Sequence, residues 1–237
     1  MVMTNLVGVL NDVDGDSGVD IDDTFIPVRR PLMEYTNKVF GHRLPRPFTE
    51  HDFVIYGLER IKLLHDAGIT REDISTMLQV MESEGALENI MPDNYAVRSL
   101  KRLSTRKGKV YFVTSRANGF YKDARGMTDR WLTKLAMQHE FTPADTIYNH
   151  NKEETLKKLN IARFFEDNPY FAISLLEKGV PVVLFNLPIN HMNSHDRDVI
   201  SEKAYKEKVD LIKRLDSYKG KLLFRVNNWE DVYKHLM

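Results

Sequence analysis

Short apolar segments alternate with helical segments through most of the second half of the chain. Because strands joined by helices run parallel within one sheet, this order predicts an α/β fold with helices on both faces of a parallel sheet. The predicted strands are 5–10, 109–115, 145–149, 162–168, 180–185 and 221–226. The helices predicted between and after the later strands are 95–108, 121–139, 152–160, 170–178, 196–217 and 229–236.

Residues 26–91 interrupt this alternation, because they contain predicted helices only. One helix is expected at 28–41 and a second at 70–85, where Thr70 and Asp73 resemble a capping box. The second helix has apolar residues at the helical spacing, namely Ile74, Met77, Leu78 and Met81. We therefore predict an α/β core formed by 1–25 and 92–237, with 26–91 as a helical cap over the sheet.

The charge and the cysteine content limit the kinds of binding partner and of reaction that the protein can have. Lys plus Arg and Asp plus Glu both total 34, so the overall charge favours neither a nucleic-acid nor a membrane partner. The chain contains no cysteine, which excludes disulfides and a cysteine nucleophile and fits a cytoplasmic location. The N-terminal residues lack the features of a signal peptide. The oligomeric state, including a homodimer, stays open.

Polar residues follow the apolar strands, where ligands of open α/β sheets bind. The first group is a run of six aspartates between residues 12 and 23. The later groups are Thr114, Ser115 and Arg116; Asn149 and Lys152; Glu166, Asp167 and Asn168; and Asn186 and Asn190. Carboxylates are suitable ligands for Mg²⁺, whereas hydroxyl and ammonium groups bind phosphate oxygens. A carboxylate can also attack phosphorus, and a second one can move a proton.

These groups resemble a known family. VDIDDTF, VTSR, Lys152 and FEDN, in this order, resemble the four motifs of the haloacid-dehalogenase (HAD) superfamily. VDIDDTFIPVRRPLMEYTNKVFG, FFEDNPYFAISLLEKGVPVVLFNLPIN and NNWEDVYKHL resemble its 5'(3')-deoxyribonucleotidase-like branch. The resemblance extends from about residue 19 to 236. It implies a Rossmann-like three-layer α/β/α core with a small helical cap inserted after the first strand. It also implies a Mg²⁺-dependent phosphomonoesterase acting on nucleoside monophosphates or another small phosphorylated metabolite.

The resemblance also implies catalytic roles. Asp20 would be the nucleophile that forms an aspartyl-phosphate. Asp22 would protonate the leaving oxygen and later activate water. Thr114 would hydrogen-bond the phosphoryl group, with Ser115 as a second choice, and Lys152 would neutralise the developing charge.

The resemblance further implies a metal site and substrate contacts. Mg²⁺ would be held by Asp20, Asp167 and the backbone carbonyl of Asp22. The expected substrate-binding residues are Ser115, Arg116 and Asn168. For Arg116, a plain surface position is the alternative, and for 166–168, a turn followed by a helix N-cap.

The position of the catalytic pair is ambiguous, because two Asp-x-Asp pairs lie eight residues apart. Asp12/Asp14 directly follow the predicted strand 5–10, while Asp20/Asp22 follow GDSGV, which is a poor strand sequence. Thr24 and Phe25 nevertheless match the motif that begins at Asp20, so the sequence favours Asp20/Asp22. On this interpretation LNDVDGDSG is an insertion that separates the strand from its motif.

Residues 12–23 allow a third interpretation. Their aspartates fall at positions 1, 3, 5, 9 and 12 of an EF-hand-like Ca²⁺ loop, although Ser17 occupies the usual glycine position. The corresponding alternative function is a non-catalytic, metal-binding or protein-binding relic of the same fold, because an insertion beside the nucleophile would misplace it.

Overall fold

The computed structural model describes residues 5–106, 108–116, 119–148, 159 and 161–236. Within these residues, six strands form one parallel sheet in the order β3-β2-β1-β4-β5-β6. The strands are β1 (Asp16–Val19), β2 (Val110–Thr114), β3 (Asp145–Tyr148), β4 (Ile161–Glu166), β5 (Val182–Phe185) and β6 (Leu223–Val226). The α-helices are α1 (Leu6–Asn11), α2 (Arg29–Phe40), α3 (Lys62–Asp66), α4 (Arg71–Ser83), α5 (Asn94–Arg106), α6 (Ala124–His139), α7 (Pro169–Glu177), α8 (Asp196–Val199), α9 (Glu202–Asp216) and α10 (Trp229–His235).

The sheet has an apolar core on each face. Alternate residues of a strand point to opposite faces, so Phe112 packs in one core and Tyr111 in the other. Helices α5, α6 and α10 contribute to the first core, and α7 and α9 to the second. The predicted three-layer α/β/α arrangement is therefore confirmed.

The first strand lies elsewhere than the sequence predicts. Residues 5–10, expected as a strand, contribute to helix α1, whose N-terminus is capped by Asn5 accepting a hydrogen bond from the Gly8 N–H at 2.8 Å. The poor strand sequence that precedes Asp20 is β1 itself, at the centre of the sheet between β2 and β4. Pairing on both sides satisfies its backbone groups, which compensates for its low strand propensity. The strand is thus continuous with its motif, and the predicted insertion is wrong.

Gly18 explains why this central strand contains a residue that usually weakens strands. A Cβ atom at Gly18 would lie 2.4 Å from two ring carbons of Phe164 on the neighbouring strand β4. Phe164 is fully buried, so its ring has little room to move. A glycine inside a strand often marks such a close approach.

The segment between β1 and α5 contains helices α2 to α4 and three short 3₁₀ turns but no strand, as expected for a helical insert. The predicted capping box at α4 is present, since Thr70 and Asp73 each accept a hydrogen bond from the other's backbone N–H. The apolar face of α4 is buried in the same core as the first face of the sheet. Treatment of 26–91 as a separate cap domain stays a prediction.

The insert is bonded to the core on two sides. On one side, the buried Glu82 carboxylate of α4 accepts hydrogen bonds from the backbone N–H groups of Lys122 and Asp123, at 2.8 and 2.7 Å. On the other side, Ile61 forms an isolated antiparallel bridge with Ile200, and Lys62 Nζ donates to the Arg197 carbonyl at 2.6 Å. These contacts fix the insert over the carboxyl edge of the sheet.

The remaining predicted helices agree with the structure in most places. The single helix predicted at 196–217 is divided into α8 and α9, because Ser201 is extended and caps α9 by accepting a hydrogen bond from the Ala204 N–H. The helix predicted at 152–160 falls almost entirely outside the described residues. Among the residues that are described, no helix has both the length and the apolar composition needed to cross a membrane.

We predict that Gly18→Ala lowers the free energy of unfolding by about 1–3 kcal/mol, because the added methyl group overpacks the contact with Phe164. Gly8→Ala is the matched control. It lies in helix α1, where the nearest atoms to a new Cβ are 3.4 Å away, and alanine favours a helix by up to about 1 kcal/mol. Urea unfolding followed by circular dichroism measures both variants. Equal stability of Gly18→Ala and the wild type would contradict the packing argument.

Candidate active site

Three buried carboxylates meet at the carboxyl edge of the sheet. Asp20 directly follows β1, and its backbone N–H donates to the Phe165 carbonyl of β4 at 3.0 Å. One oxygen each of Asp20, Glu166 and Asp167 lie within 4.8 Å of one another. In the described part of the chain, this is the one group of three or more acidic or histidine side chains close enough to hold a metal ion. Hard oxygen donors of this kind fit a divalent cation such as Mg²⁺.

Glu166 is the member of this cluster that the sequence did not assign as a ligand. It is the last residue of β4 and is fully buried. Its Oε1 accepts hydrogen bonds from the backbone N–H groups of Asp167 and Asn168, at 3.2 and 3.1 Å. The sequence FEDN places Glu166 beside Asp167 at a strand end. It does not show which way the Glu166 side chain points, because that direction depends on the turn that follows.

The Asp167 carboxylate receives one hydrogen bond on each oxygen. Thr24 Oγ1 donates to Oδ1 at 2.9 Å, and Tyr56 Oη donates to Oδ2 at 2.5 Å. Burial raises the pKa of Asp167 well above its ordinary value, and the neighbouring Glu166 and Asp20 raise it further. The same surroundings raise the pKa of Tyr56, chiefly through burial and then through Asp167, so Tyr56 keeps the proton that it donates.

Thr24 and the turn around Asp167 are held by residues that lie later in the chain. Trp229 Nε1 of α10 donates to the Thr24 carbonyl at 2.7 Å. The buried Asn190 side chain, which follows β5, donates to the Asp167 carbonyl at 3.1 Å. Both contacts join segments that are distant in sequence, so the spacing of the motifs alone does not reveal them.

Asp22 lies beside Asp20 in sequence, but its carboxylate is turned towards Arg116. Arg116 Nε donates to Asp22 Oδ2 at 2.9 Å, and Nη2 donates to Oδ1 at 2.5 Å. The Arg116 guanidinium is buried, which rules out the surface position considered from the sequence. The geometry places Arg116 against Asp22, while its predicted contact with substrate stays a prediction.

The turn that follows Asp22 begins the insert. Asp23 has a positive φ of 58°, a conformation that aspartate tolerates better than most residues. Its Oδ1 accepts hydrogen bonds from the backbone N–H groups of Val28 and Arg29, each at 3.1 Å, at the start of α2. This arrangement directs the chain out of the sheet and into the helices above it.

The other predicted site residues lie at the same edge, with one outside the described residues. Thr114 ends β2 and is buried, and its Oγ1 accepts a hydrogen bond from the Arg116 backbone N–H at 3.3 Å. Ser115, the second choice for the phosphoryl contact, lines the cavity described below. Asn168 lines it too and also caps α7, accepting from the Tyr170 N–H. Lys152 lies outside the described residues.

The first aspartate pair is away from this cluster. Asp12 and Asp14 are exposed and precede β1, at the opposite end of the strand from Asp20. Asp16 accepts a hydrogen bond from the Lys109 backbone N–H at 2.8 Å. Because 16–19 form a central strand, residues 12–23 do not surround a common point, and their geometry is not that of a Ca²⁺ loop.

A cavity of about 260 Å³ opens between the acidic cluster and the insert. We call the part of its lining that holds the cluster, Asp22 and Ser115 the inner end. We call the apolar part of the lining the outer end; it is formed by the side chains of Val28, Leu32, Ile74, Leu78, Leu87 and Phe120. Among the described lining residues, Arg116 is the only Lys or Arg, and it is paired with Asp22.

Comparison with known proteins finds one relative by sequence and several solved structures with a similar fold. No protein-family model matches the chain. The Bacillus subtilis (strain 168) protein named "Putative nucleotidase YqfW" is 27% identical over 212 residues, covering 89% of this chain and 98% of that protein. A haloacid dehalogenase-like hydrolase from Streptococcus pneumoniae has a TM-score of 0.58 at 14% identity, covering 94% of this chain and 99% of its own.

Two further solved structures have the same coverage, 94% of this chain and 99% of their own. One, from Lactobacillus plantarum, is called a "putative phosphoglycolate phosphatase" and has a TM-score of 0.57 at 14% identity. The other is the magnesium-bound "putative HAD-hydrolase YfnB" from Bacillus subtilis, with a TM-score of 0.51 at 14% identity. These solved structures show that the chain shares the fold of haloacid-dehalogenase-like hydrolases.

In this chain the motif positions that the structure describes, from Asp20 to Asp167, lie at one edge of the sheet. The names of the similar proteins support the predicted phosphatase-type hydrolase. The part of the site that sequence reasoning missed consists of Glu166 as a member of the cluster, Tyr56 as a donor to Asp167, and Arg116 as the partner of Asp22.

We predict that a divalent cation stabilises the wild-type protein, because it offsets the repulsion between the three buried carboxylates. At a Mg²⁺ concentration of about 100 times Kd, the expected gain is ~2.7 kcal/mol, or roughly 5–10 °C in Tm. Asp167→Asn should lose this increment, because it removes a charged ligand. Asp12→Asn, at an exposed aspartate away from the cluster, should keep it. Differential scanning calorimetry with MgCl₂ or EDTA measures all three proteins, and equal increments in both variants would contradict the assignment.

Proposed function

We propose that this protein is a Mg²⁺-dependent phosphomonoesterase that forms an aspartyl-phosphate on Asp20 and acts on nucleoside monophosphates. One observation carries the proposal: the residue that directly follows the central strand, Asp20, shares a buried cluster with Glu166 and Asp167 at the inner end of a cavity. Asp22 and Ser115 line the same end. The continuity of β1 with its motif removes the reason for considering a non-catalytic relic, which was a displaced nucleophile.

In the first step, an oxygen of the Asp20 carboxylate attacks phosphorus. The bond from phosphorus to the leaving oxygen breaks, and that oxygen takes a proton from Asp22, which must leave Arg116 and be protonated before this step. Ser115 or Thr114 donates a hydrogen bond to the phosphoryl group, and Lys152 neutralises part of its charge. The alcohol leaves, and the phosphoryl group remains on Asp20.

In the second step, a water oxygen attacks the same phosphorus. Its proton passes to Asp22, and the bond between phosphorus and the Asp20 oxygen breaks, which releases inorganic phosphate. The contact with Arg116 keeps the Asp22 carboxylate in one orientation, in which it can accept the proton of the water, as this step requires. Arg116 is therefore a positioning residue in the proposal.

The cluster of Asp20, Glu166 and Asp167, with the Asp22 backbone carbonyl, would hold Mg²⁺. When bound, the ion offsets the negative charge of the phosphate and the carboxylates, which would otherwise repel each other. Glu166 and Asp167 are held in place by the hydrogen bonds described above.

The outer end of the cavity supports a substrate whose organic part is uncharged and contains a ring. The described side chains there are mainly apolar, and Arg116 is occupied by Asp22. A second anionic group on the substrate, such as a carboxylate, would find no further described cation in the lining. A nucleobase or another aromatic group would instead bury its faces against Leu78 and Phe120.

We predict that Asp20→Asn lowers kcat by at least ~10³-fold, because an amide oxygen is a poor nucleophile towards phosphorus. Asp12→Asn should retain wild-type activity, since Asp12 lies away from the cluster. Hydrolysis of p-nitrophenyl phosphate and of nucleoside monophosphates, with Mg²⁺ or EDTA, measures both variants. Retained activity in Asp20→Asn, or wild-type protein inactive on a broad phosphate panel, would refute the proposal.

We predict that Phe120→Ala raises KM for nucleoside monophosphates by roughly 10- to 100-fold, with little change in kcat. The reason is that an aromatic side chain contributes about 1.5–3 kcal/mol through burial. Competitive inhibition by inorganic phosphate serves as the control, because phosphate needs only the inner end of the cavity. A parallel rise in the inhibition constant for phosphate would show that the variant disturbs the whole site and not the outer end alone.

A further inference from the structure

Tyr56 connects the helical insert to the acidic cluster. Its backbone belongs to the insert, its ring lines the cavity, and its hydroxyl donates to Asp167 Oδ2 at 2.5 Å. We propose that Tyr56 is a positioning residue that orients Asp167 for the divalent cation, and that it thereby couples metal affinity to the position of the insert. This inference rests on the proposed function, because it assumes that the cluster binds Mg²⁺.

The two hydrogen bonds on Asp167 fix the direction of its carboxylate from two sides. Thr24 belongs to the first motif of the core and holds Oδ1, whereas Tyr56 belongs to the insert and holds Oδ2. A carboxylate oxygen has lone pairs for both a hydrogen bond and a cation, so the Tyr56 contact is compatible with metal binding. Partners of this kind orient metal ligands, and their loss typically costs about 10- to 100-fold in metal affinity.

The chain on the N-terminal side of Tyr56 is held within the insert. Asp52 is buried and pairs with Arg46 at 2.6 Å, and it accepts hydrogen bonds from the Thr49 N–H and hydroxyl. The Phe53 ring packs edge-to-face on Phe48, with ring centroids 4.9 Å apart. These contacts limit the movement of the segment that carries the Tyr56 ring.

The chain on the C-terminal side of Tyr56 is held against the core. Gly57 has a positive φ of 87°, which turns the chain directly after Tyr56. Ile61 then forms its bridge with Ile200, and Arg60 pairs with Glu207 of α9. The hydroxyl therefore reaches Asp167 only while the insert occupies this position over the sheet.

Coupling between the insert and the cation follows from these contacts. If the insert in this position increases the affinity of the cluster for Mg²⁺, then bound Mg²⁺ must stabilise the insert in the same position, because binding linkage is reciprocal. The sequence gives no indication of this link, since Tyr56 and Asp167 are 111 residues apart. The insert would then affect the chemistry as well as the choice of substrate.

The test is Tyr56→Phe, which removes the hydroxyl and keeps the ring. The matched control is Tyr35→Phe, because Tyr35 also lies in the insert and also donates to a carboxylate at 2.5 Å, that of the exposed Glu84, away from the cluster. Isothermal titration calorimetry of chelator-treated protein with MgCl₂ measures metal affinity. We expect Kd for Mg²⁺ to rise about 10- to 100-fold in Tyr56→Phe and to stay within twofold in Tyr35→Phe.

Amide hydrogen exchange provides a second readout, namely the slowing of exchange that Mg²⁺ causes. A merely structural role of Tyr56 would not change this slowing. Saturating Mg²⁺ should slow amide exchange of residues 53–61 in the wild type and in Tyr35→Phe, and much less in Tyr56→Phe. Unchanged or tighter Mg²⁺ binding by Tyr56→Phe would overturn the inference while leaving the proposed function intact. A wild-type protein that binds no Mg²⁺ would overturn both.

Discussion

The pairing of β1 with β2 on one side and β4 on the other is the constraint on which the site depends. It fixes the end of β1, so Asp20 emerges between the strands that end in Thr114 and Glu166. Gly18 permits this pairing, because any side chain there would collide with the buried Phe164 ring. The position of the nucleophile in the proposed reaction is thus determined by backbone hydrogen bonds and by the packing of one aromatic ring.

That pairing brings carboxylates together in a buried place, which is unfavourable in itself. The structure compensates with donors: backbone N–H groups face Glu166, Thr24 and Tyr56 face Asp167, and Arg116 faces Asp22. Burial and the neighbouring Glu166 and Asp20 still raise the pKa of Asp167 above its ordinary value. A cluster of this kind has a strong electrostatic preference for a cation, which is what the proposed phosphoryl transfer requires.

The helical insert contributes to the site in two ways. Its apolar side chains form the outer end of the cavity, and Tyr56 contacts the cluster directly. Because the insert packs in the same apolar core as one face of the sheet and is bonded to the core on two sides, its position is well defined. Specificity and metal binding are therefore expected to depend on one another in this protein.

The sequence by itself determined the alternation of strands and helices, the helical insert and the order of the motifs, because these depend on local periodicity and on residue types next to strand ends. Thr24 and Phe25 also pointed to Asp20/Asp22 as the pair of interest. Only the tertiary structure decided where β1 lies: LVGVL is more apolar, but DSGV is the segment that finds partners on both sides. The contacts of Tyr56 and Arg116 were likewise decided by folding, because hydrogen bonds between residues 111 and 94 positions apart leave no local pattern in the sequence.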